Sequence, residues 1–435
     1  MIEDIDKIVD QFSNFVGEKF KANDDDVGLV YQAETNFDFW ALDVVDPLAM
    51  EDFLRSVEVT RNRVIQQLGC RSQITMSITC ITLLKFFQQE KDLRFLNTVI
   101  KILWRLQESK FDTVSNLDTE SLIESVTLLF ESRAGKTRPL FDASKTRFTE
   151  RLISDPIASW TSLECPEARN TSVVVFCPNP YSSATLAALE LLNRKDFQIK
   201  AVVVKKILNF SRFKKEFKRD GSRLIRKIYR KLVLNDAVRV DASGRNLSDT
   251  LSELNIKKES VYSWSRRHGV EVISCGDIND QKVVSKLSNL EYDYGIFTGG
   301  GILSNNVLET ARRGILNCHA GLLPYYRGMD VIEWPVLLCE RNNIGSTVHF
   351  MTDEVDSGGI LLGYRIEKDF DVLSARYELE SYWQYLLVIA LMSHVNKPEL
   401  EFQAKSDGKH FYVLHKTLFD LAVHISNTTI GGNAR

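Results

Sequence analysis

The feature that most limits how this chain can fold is a change of hydrophobic rhythm near residue 170. Val173, Val174, Val175 and Phe176 form a short uninterrupted apolar run, the pattern of a strand covered on both faces. A helix-like Ala- and Leu-rich stretch follows over residues 183–192, and a second run from Ala201 to Val204 closes the unit. Strand, helix and strand with short connections predict a right-handed parallel crossover, hence an α/β, doubly wound, mostly parallel sheet. Residues 270–274, 294–298, 314–318 and 346–351 are the further strands expected.

Ahead of that change the spacing is helical. Leu96, Val99, Ile100 and Leu103 fall at i, i+3, i+4 and i+7, one face of a helix. Leu122, Val126, Leu129 and Phe130 repeat the pattern behind Asp118, whose carboxylate suits a helix start. Pro156 and Pro166 then interrupt the periodicity. The expected division is an all-helical domain of unassigned role over 1–165, an α/β domain over 166–370, and a helical extension over 371–435 packed on it, since helical spacing returns between 374 and 395.

Composition narrows the function classes. With 55 Lys plus Arg against 58 Asp plus Glu, the net charge is −3, so overall basicity gives no reason to expect nucleic acid. The exception is residues 205–231, rich in Lys and Arg. A solvated helix face, or a partner in the acidic Asp24, Asp25, Asp26 cluster, accounts for it more simply than RNA or an anionic substrate does. Cys70, Cys80, Cys165, Cys177, Cys275, Cys318 and Cys339 are odd in number and scattered; they predict reduced thiols and no metal site. An acidic start, and no apolar window of membrane-spanning length, predict a cytoplasmic protein. The turn Cys177, Pro178, Asn179, Pro180, Tyr181, Ser182 lacks the glycines of a dinucleotide fingerprint, which argues against NAD.

In doubly wound sheets, ligands sit beyond the carboxyl ends of the strands. Gly299, Gly300 and Gly301 follow one expected strand, Asn317 and His319 end another, and Asp356 lies beyond a third. Period two puts Asn317 and His319 on one face and turns Cys318 away. An amide N–H and an imidazolium N–H both suit an oxygen that gains negative charge as an amine attacks a carbonyl carbon. A nearby carboxylate favours the imidazolium and helps remove the amine's proton. That is acyl transfer by direct attack, and no Gly-x-Ser-x-Gly elbow is present for a covalent route. His349, inside a strand, is expected to be a packed or hydrogen-bonded scaffold residue.

Over residues 171–370 the chain resembles the 10-formyltetrahydrofolate-dependent formyltransferases, which include the glycinamide ribonucleotide, methionyl-tRNA and sugar N-formyltransferases. Three elements carry the resemblance: Gly301, Ile302, Leu303, Ser304; then Asn317, Cys318, His319 with the run Leu322, Leu323, Pro324, Tyr325, Tyr326, Arg327, Gly328; then the stretch from Thr347 through Asp356 to Ile360. The resemblance implies Asn317, His319 and Asp356 as catalytic residues. It also implies pterin binding through the main chain at Gly301, Ile302 and Leu303 and at Thr352, Asp353, Glu354 and Val355, and a substrate-side loop with Tyr325, Tyr326 and Arg327. Ala320 and Gly321 replace the Pro-Ser common in the family, a change expected to loosen the loop and widen the amine site. The first turn also lacks phosphate-cradling glycines, which disfavours glycinamide ribonucleotide. The expected function is N-formylation of a small-molecule amine, an amino sugar or amino-acid derivative, from 10-formyltetrahydrofolate and without metal. A formyl-folate hydrolase and a non-catalytic folate sensor are the alternatives, and a homodimer is left open.

Overall fold

A computed structural model describes residues 2–20, 73–108, 118–134, 151–206, 245–257, 259–367, 370–404 and 407–432. The basic segment beyond Lys206 up to residue 231, and the cluster Asp24 to Asp26, lie outside the described residues. The chain divides into two compact units, one of residues 1–140, 336–340 and 410–429, the other of 141–335, 341–409 and 430–435.

Among its described residues the first unit contains the helices Ile2–Phe20, Gln73–Glu90, Leu93–Glu108 and Thr119–Arg133. The periodic residues do what their spacing requires: Leu96, Val99, Ile100, Leu103, Leu122, Val126 and Phe130 are fully buried. Asp118 caps its helix by accepting from the Ser121 N–H at 3.1 Å.

The second unit is built on an eight-stranded sheet whose strands are β1 (Leu152–Ile153), β2 (Ser172–Cys177), β3 (Gln198–Lys205), β4 (Glu271–Cys275), β5 (Tyr294–Phe297), β6 (Gly314–His319), β8 (Gly345–Phe350) and β9 (Ile360–Arg365). The short strand β7 (Tyr326–Gly328) lies outside it. The spatial order is β1-β9-β8-β6-β5-β2-β3-β4, with every pairing parallel except β6 with β8 and β8 with β9. The sheet is therefore mostly parallel, as the strand-helix-strand rhythm predicts. Within the stretch expected to be helical throughout, Leu152–Ile153 is instead an edge strand opposite Gly363 and Tyr364. Two residues are too few to display a period.

The chain runs outward from β2 to β3 and β4, then returns to place β5 on the other side of β2. This reversal opens a crevice at the carboxyl ends of β2 and β5. The helix Val372–Asn396, capped by Asp371, packs against β6, β8 and β9. Its Trp383 Nε1 donates to Ser346 Oγ at 2.8 Å. Ser346 and His349 point to opposite faces of β8, so this helix leaves the His349 face to the site. Among the described residues no helix is long and apolar enough to cross a membrane.

Candidate active site

Strand β6 delivers Asn317 and His319 to one face, and antiparallel β8 sets His349 opposite Asn317 and Thr347 opposite His319. The Asn317 amide nitrogen lies 3.2 Å from His349 Nε2, and His349 Nδ1 lies 2.8 Å from the Phe350 carbonyl. A carbonyl can only accept, so in the neutral ring Nδ1 carries the proton and Nε2 accepts from Asn317. One amide hydrogen of the half-buried Asn317 orients the group and the second remains. Thr347 Oγ1 accepts from the Leu323 N–H at 3.0 Å and donates to the Gly321 carbonyl at 2.9 Å, pinning the chain that follows His319.

The carboxylate arrives from a loop. Thr352, Asp353, Glu354 and Val355 are exposed and Asp356 is buried, with φ of +54°, a left-handed conformation uncommon for a side-chain-bearing residue. Two residues on, a Cβ on Gly358 would sit 1.8 Å from the Phe350 carbonyl oxygen, so only glycine fits. Asp356 Oδ2 accepts from the Gly328 N–H at 2.9 Å and lies 3.4 Å from His319 Nδ1; Oδ1 lies 3.6 Å from His349 Nε2. The structure thus brings Asn317, His319 and Asp356 together, with His349 between the amide and the carboxylate.

The charge on this cluster follows from burial and partners. Burial pulls the His319 ring below its ordinary value despite the opposing pull of Asp356. Burial alone would raise Asp356, yet His319, His349 and the Gly328 N–H together hold its carboxyl well below the usual range. The two partners cannot both be drawn to their charged forms by one contact. Because the Gly328 N–H also supports the carboxylate, the negative charge resides on Asp356 and His319 waits neutral. This differs from the expected imidazolium: desolvation outweighs the neighbouring charge. His319 Nε2 donates to the Tyr326 carbonyl at 2.8 Å, so in the neutral ring Nδ1, facing Asp356, is the unprotonated nitrogen. A proton entering the pair has a place between Nδ1 and Oδ2.

Three expectations about neighbouring residues change. Gly321 does not loosen its loop: a Cβ there would lie 2.5 Å from the Tyr326 carbonyl oxygen and 2.8 Å from His319 Nε2, so the glycine allows close packing against the ring. Of the substrate-side trio only Tyr325 is partly exposed. The Tyr326 ring is fully buried and contributes its carbonyl instead. Arg327 is buried too, its Nε and Nη2 donating to Gln403 Oε1 at 3.2 and 3.0 Å and Nη2 also to the Ala404 carbonyl at 2.7 Å. Cys318 turns away from the crevice side chains, and burial pushes its thiol well up.

The other wall begins at Gly299, Gly300 and Gly301, with φ of +127°, +133° and +111°; three such residues in succession require glycine. Lys205 Nζ donates to the Gly300 carbonyl. Leu303 is buried in the core while Ile302 is 78% exposed, and Asn279 fixes the turn by donating to the Ile302 carbonyl at 2.9 Å and accepting from the Ser304 N–H at 2.8 Å. Among the described residues no hydrogen bond engages the N–H groups of Ile302, Leu303 or Val355. Such main-chain donors suit a planar heterocycle with ring nitrogens and a carbonyl, so the residues present fit a pterin. On the β2 side, the N-terminal turn of the helix Ser183–Arg194 is capped by Ser182, whose side chain accepts from Thr185 N–H at 3.2 Å.

Two residues near Asp356 escaped the sequence reading. His349 showed only as a strand residue, and its signal lay in the β6–β8 register, visible once those strands are known to pair antiparallel. Gln403 lies outside every motif and gave no signal.

The mostly parallel sheet and its loops thus gather Asn317, His319, His349 and Asp356 in one place. Residues 257–378, a little over a quarter of the chain, match the sequence profile of the formyl transferase family. A bifunctional polymyxin resistance protein ArnA from Wigglesworthia glossinidia brevipalpis is 37% identical over 128 residues, 28% of this chain and 19% of that protein. A methionyl-tRNA formyltransferase from Anaeromyxobacter dehalogenans is 33% identical over 113 residues, 26% of this chain and 36% of that protein. The matches thus span about a fifth to a third of these curated relatives. Among solved structures, a phosphoribosylglycinamide formyltransferase from Bacillus Halodurans aligns at 14% identity with a TM-score of 0.34, covering 53% of this chain and 97% of that one. A sugar N-formyltransferase from a Shewanella species aligns at 13% identity with a TM-score of 0.36, covering 59% and 87%.

Proposed function

We propose that this protein moves a formyl group from 10-formyltetrahydrofolate to a primary amine of a small molecule. The observation that supports it most is the meeting of Asn317, His319, His349 and Asp356 within hydrogen-bond or ion-pair reach, beside two loops with unengaged main-chain donors. Folate supplies the activated formyl group, and Ile302, Leu303 and Thr352 to Val355 would hold its pterin through the backbone. The amine nitrogen bonds to the formyl carbon as the bond from that carbon to the folate nitrogen breaks, and one amine proton must leave. Asn317, oriented by His349, offers its second N–H to the oxygen that gains charge. His319 with ionised Asp356 accepts the amine proton and returns it to the departing folate nitrogen. Tyr326 holds the His319 ring in the orientation that leaves Nδ1 as the basic nitrogen.

The acceptor is read as a small molecule because the chain is slightly acidic overall and its dense run of cations is limited to residues 205–231. The test is a mass-shift screen of amino sugars, amino-acid derivatives and an aminoacyl-tRNA, each with 10-formyltetrahydrofolate. The expected result is a gain of about 28 Da, one CO, on a small amine. A gain on the tRNA alone would replace the acceptor. Release of tetrahydrofolate with every amine unchanged would make water the acceptor, and no release at all would leave the folate site without turnover.

A further inference from the structure

We propose that Gln403, which lies beyond the family-matching stretch, is a positioning residue that locks the loop bearing Asp356 onto the strand that steadies its carboxylate; its role in turnover rests on the formyl-transfer reading above. The segment that carries it is fastened at both ends. Ile360 and Glu401 exchange backbone hydrogen bonds at 2.8 and 3.0 Å, and the Lys409 N–H donates to the Tyr325 carbonyl at 2.9 Å. Between these anchors Phe402 is 84% exposed, and its neighbour Gln403 turns inward.

The inward amide uses both of its polarities. Gln403 Nε2 donates to the carbonyls of Asp356 at 3.1 Å and Gly358 at 2.7 Å. Its Oε1 accepts from Nε and Nη2 of Arg327. Arg327 immediately precedes Gly328, whose N–H donates to Asp356 Oδ2. The contacts therefore close a ring from Gln403 through Arg327 and Gly328 to the Asp356 carboxylate and back through the Asp356 carbonyl. A residue held at positive φ without being glycine persists where its surroundings over-determine it, and this ring supplies that constraint. A side-chain amide serves both halves, whereas a carboxylate has no N–H for the two carbonyls and a cation has no acceptor for Arg327. Asp356, Glu354 and Asp407 are the acids acting on Arg327, and Asp356 and His349 are the titratable groups facing His319.

Two variants of the full chain separate the halves. Gln403→Glu keeps an acceptor for Arg327 and removes both donors to the loop; Gln403→Met removes everything at similar volume. Three readouts are taken: kcat for formyl transfer, thermal midpoint, and the titration of His319 followed by NMR of 15N-histidine-labelled protein, assigned with His319→Gln. The expected result is a kcat loss of roughly tenfold or more in both variants, thermal midpoints within a few degrees of native, and a His319 titration that moves, downward in Gln403→Met, as Asp356 loses its register. Native kcat within twofold and an unmoved titration would overturn the proposal. So would a native Gln403→Glu beside an impaired Gln403→Met, which would reduce Gln403 to a partner of Arg327. Should Gln403→Met fail to fold, Gln403→Glu decides alone. Absence of formyl transfer by the native protein would count against the functional reading, and the titration would still decide the role of Gln403.

Discussion

The site has two halves that the chain builds by different means. Asn317, His319 and His349 stand on β6 and β8, where the pleat and one antiparallel register aim all three side chains to the same face. Asp356 stands on a loop, in a left-handed conformation, and is held by discrete hydrogen bonds from Gly328 and Gln403. The strand half inherits its geometry from the sheet. The loop half depends on tethers, so a substitution there can leave the fold standing while the carboxylate moves.

Asp356→Asn tests the contrast most severely. Asparagine tolerates positive φ, so backbone strain stays constant while the charge is lost. Formyl transfer should fall on the order of a thousandfold, with no more than a small change in thermal midpoint. Collapse of the fold instead would mean that the carboxylate serves structure. On the strand side, Asn317→Ala should cost on the order of a hundredfold to a thousandfold in kcat, the typical price of losing one oxyanion donor. His349→Ala should cost about tenfold or more, since Asn317 then loses its orienting acceptor. Combined, the two losses should fall well short of their product; full additivity in a double-mutant cycle would separate His349 from the amide.

How far the site was visible in the residues follows the same division. Strand periodicity and local motifs place Asn317 and His319 on one face, and the stretch from Thr347 to Ile360 marks Asp356. The partnership of Asn317 with His349 was hidden because register is a relation between strands distant in the chain. Gln403 was hidden for a stronger reason: its contacts to Asp356, Gly358 and Arg327 come from a segment with no pattern of its own. Gly321 shows the converse error. Glycine suggests freedom, yet here it marks the closest approach of a carbonyl to the His319 ring.

Gly358→Ala addresses the loop's shape without touching its chemistry. A Cβ 1.8 Å from the Phe350 oxygen cannot be relieved by a side-chain rotation. Urea unfolding should show a loss of about 3 kcal/mol or more; native stability would mean that the loop has slack. The smallest effect is a pH dependence. Because burial lowers His319 in the folded state from its ordinary value of 6.5, the unfolded chain binds that proton more readily. Its contribution to stability is complete above 6.5 and is lost as pH falls from there toward the lower folded value. His319→Gln should flatten stability over that window, while the loss tied to Asp356, which begins only below its ordinary 3.8, persists at lower pH. An unchanged slope near pH 6 would contradict a neutral buried ring.

The most direct trial of the whole account follows the carbon itself. Supplying 10-formyltetrahydrofolate labelled with 13C in the formyl group, together with a panel of small amines, and recording the carbon spectrum should show the label leaving the folate and appearing as a formamide. The native protein should do this and Asp356→Asn should not within the same time. Label that stays on the folate, or that leaves at the same rate with both proteins, would contradict a transfer centred on Asn317, His319 and Asp356.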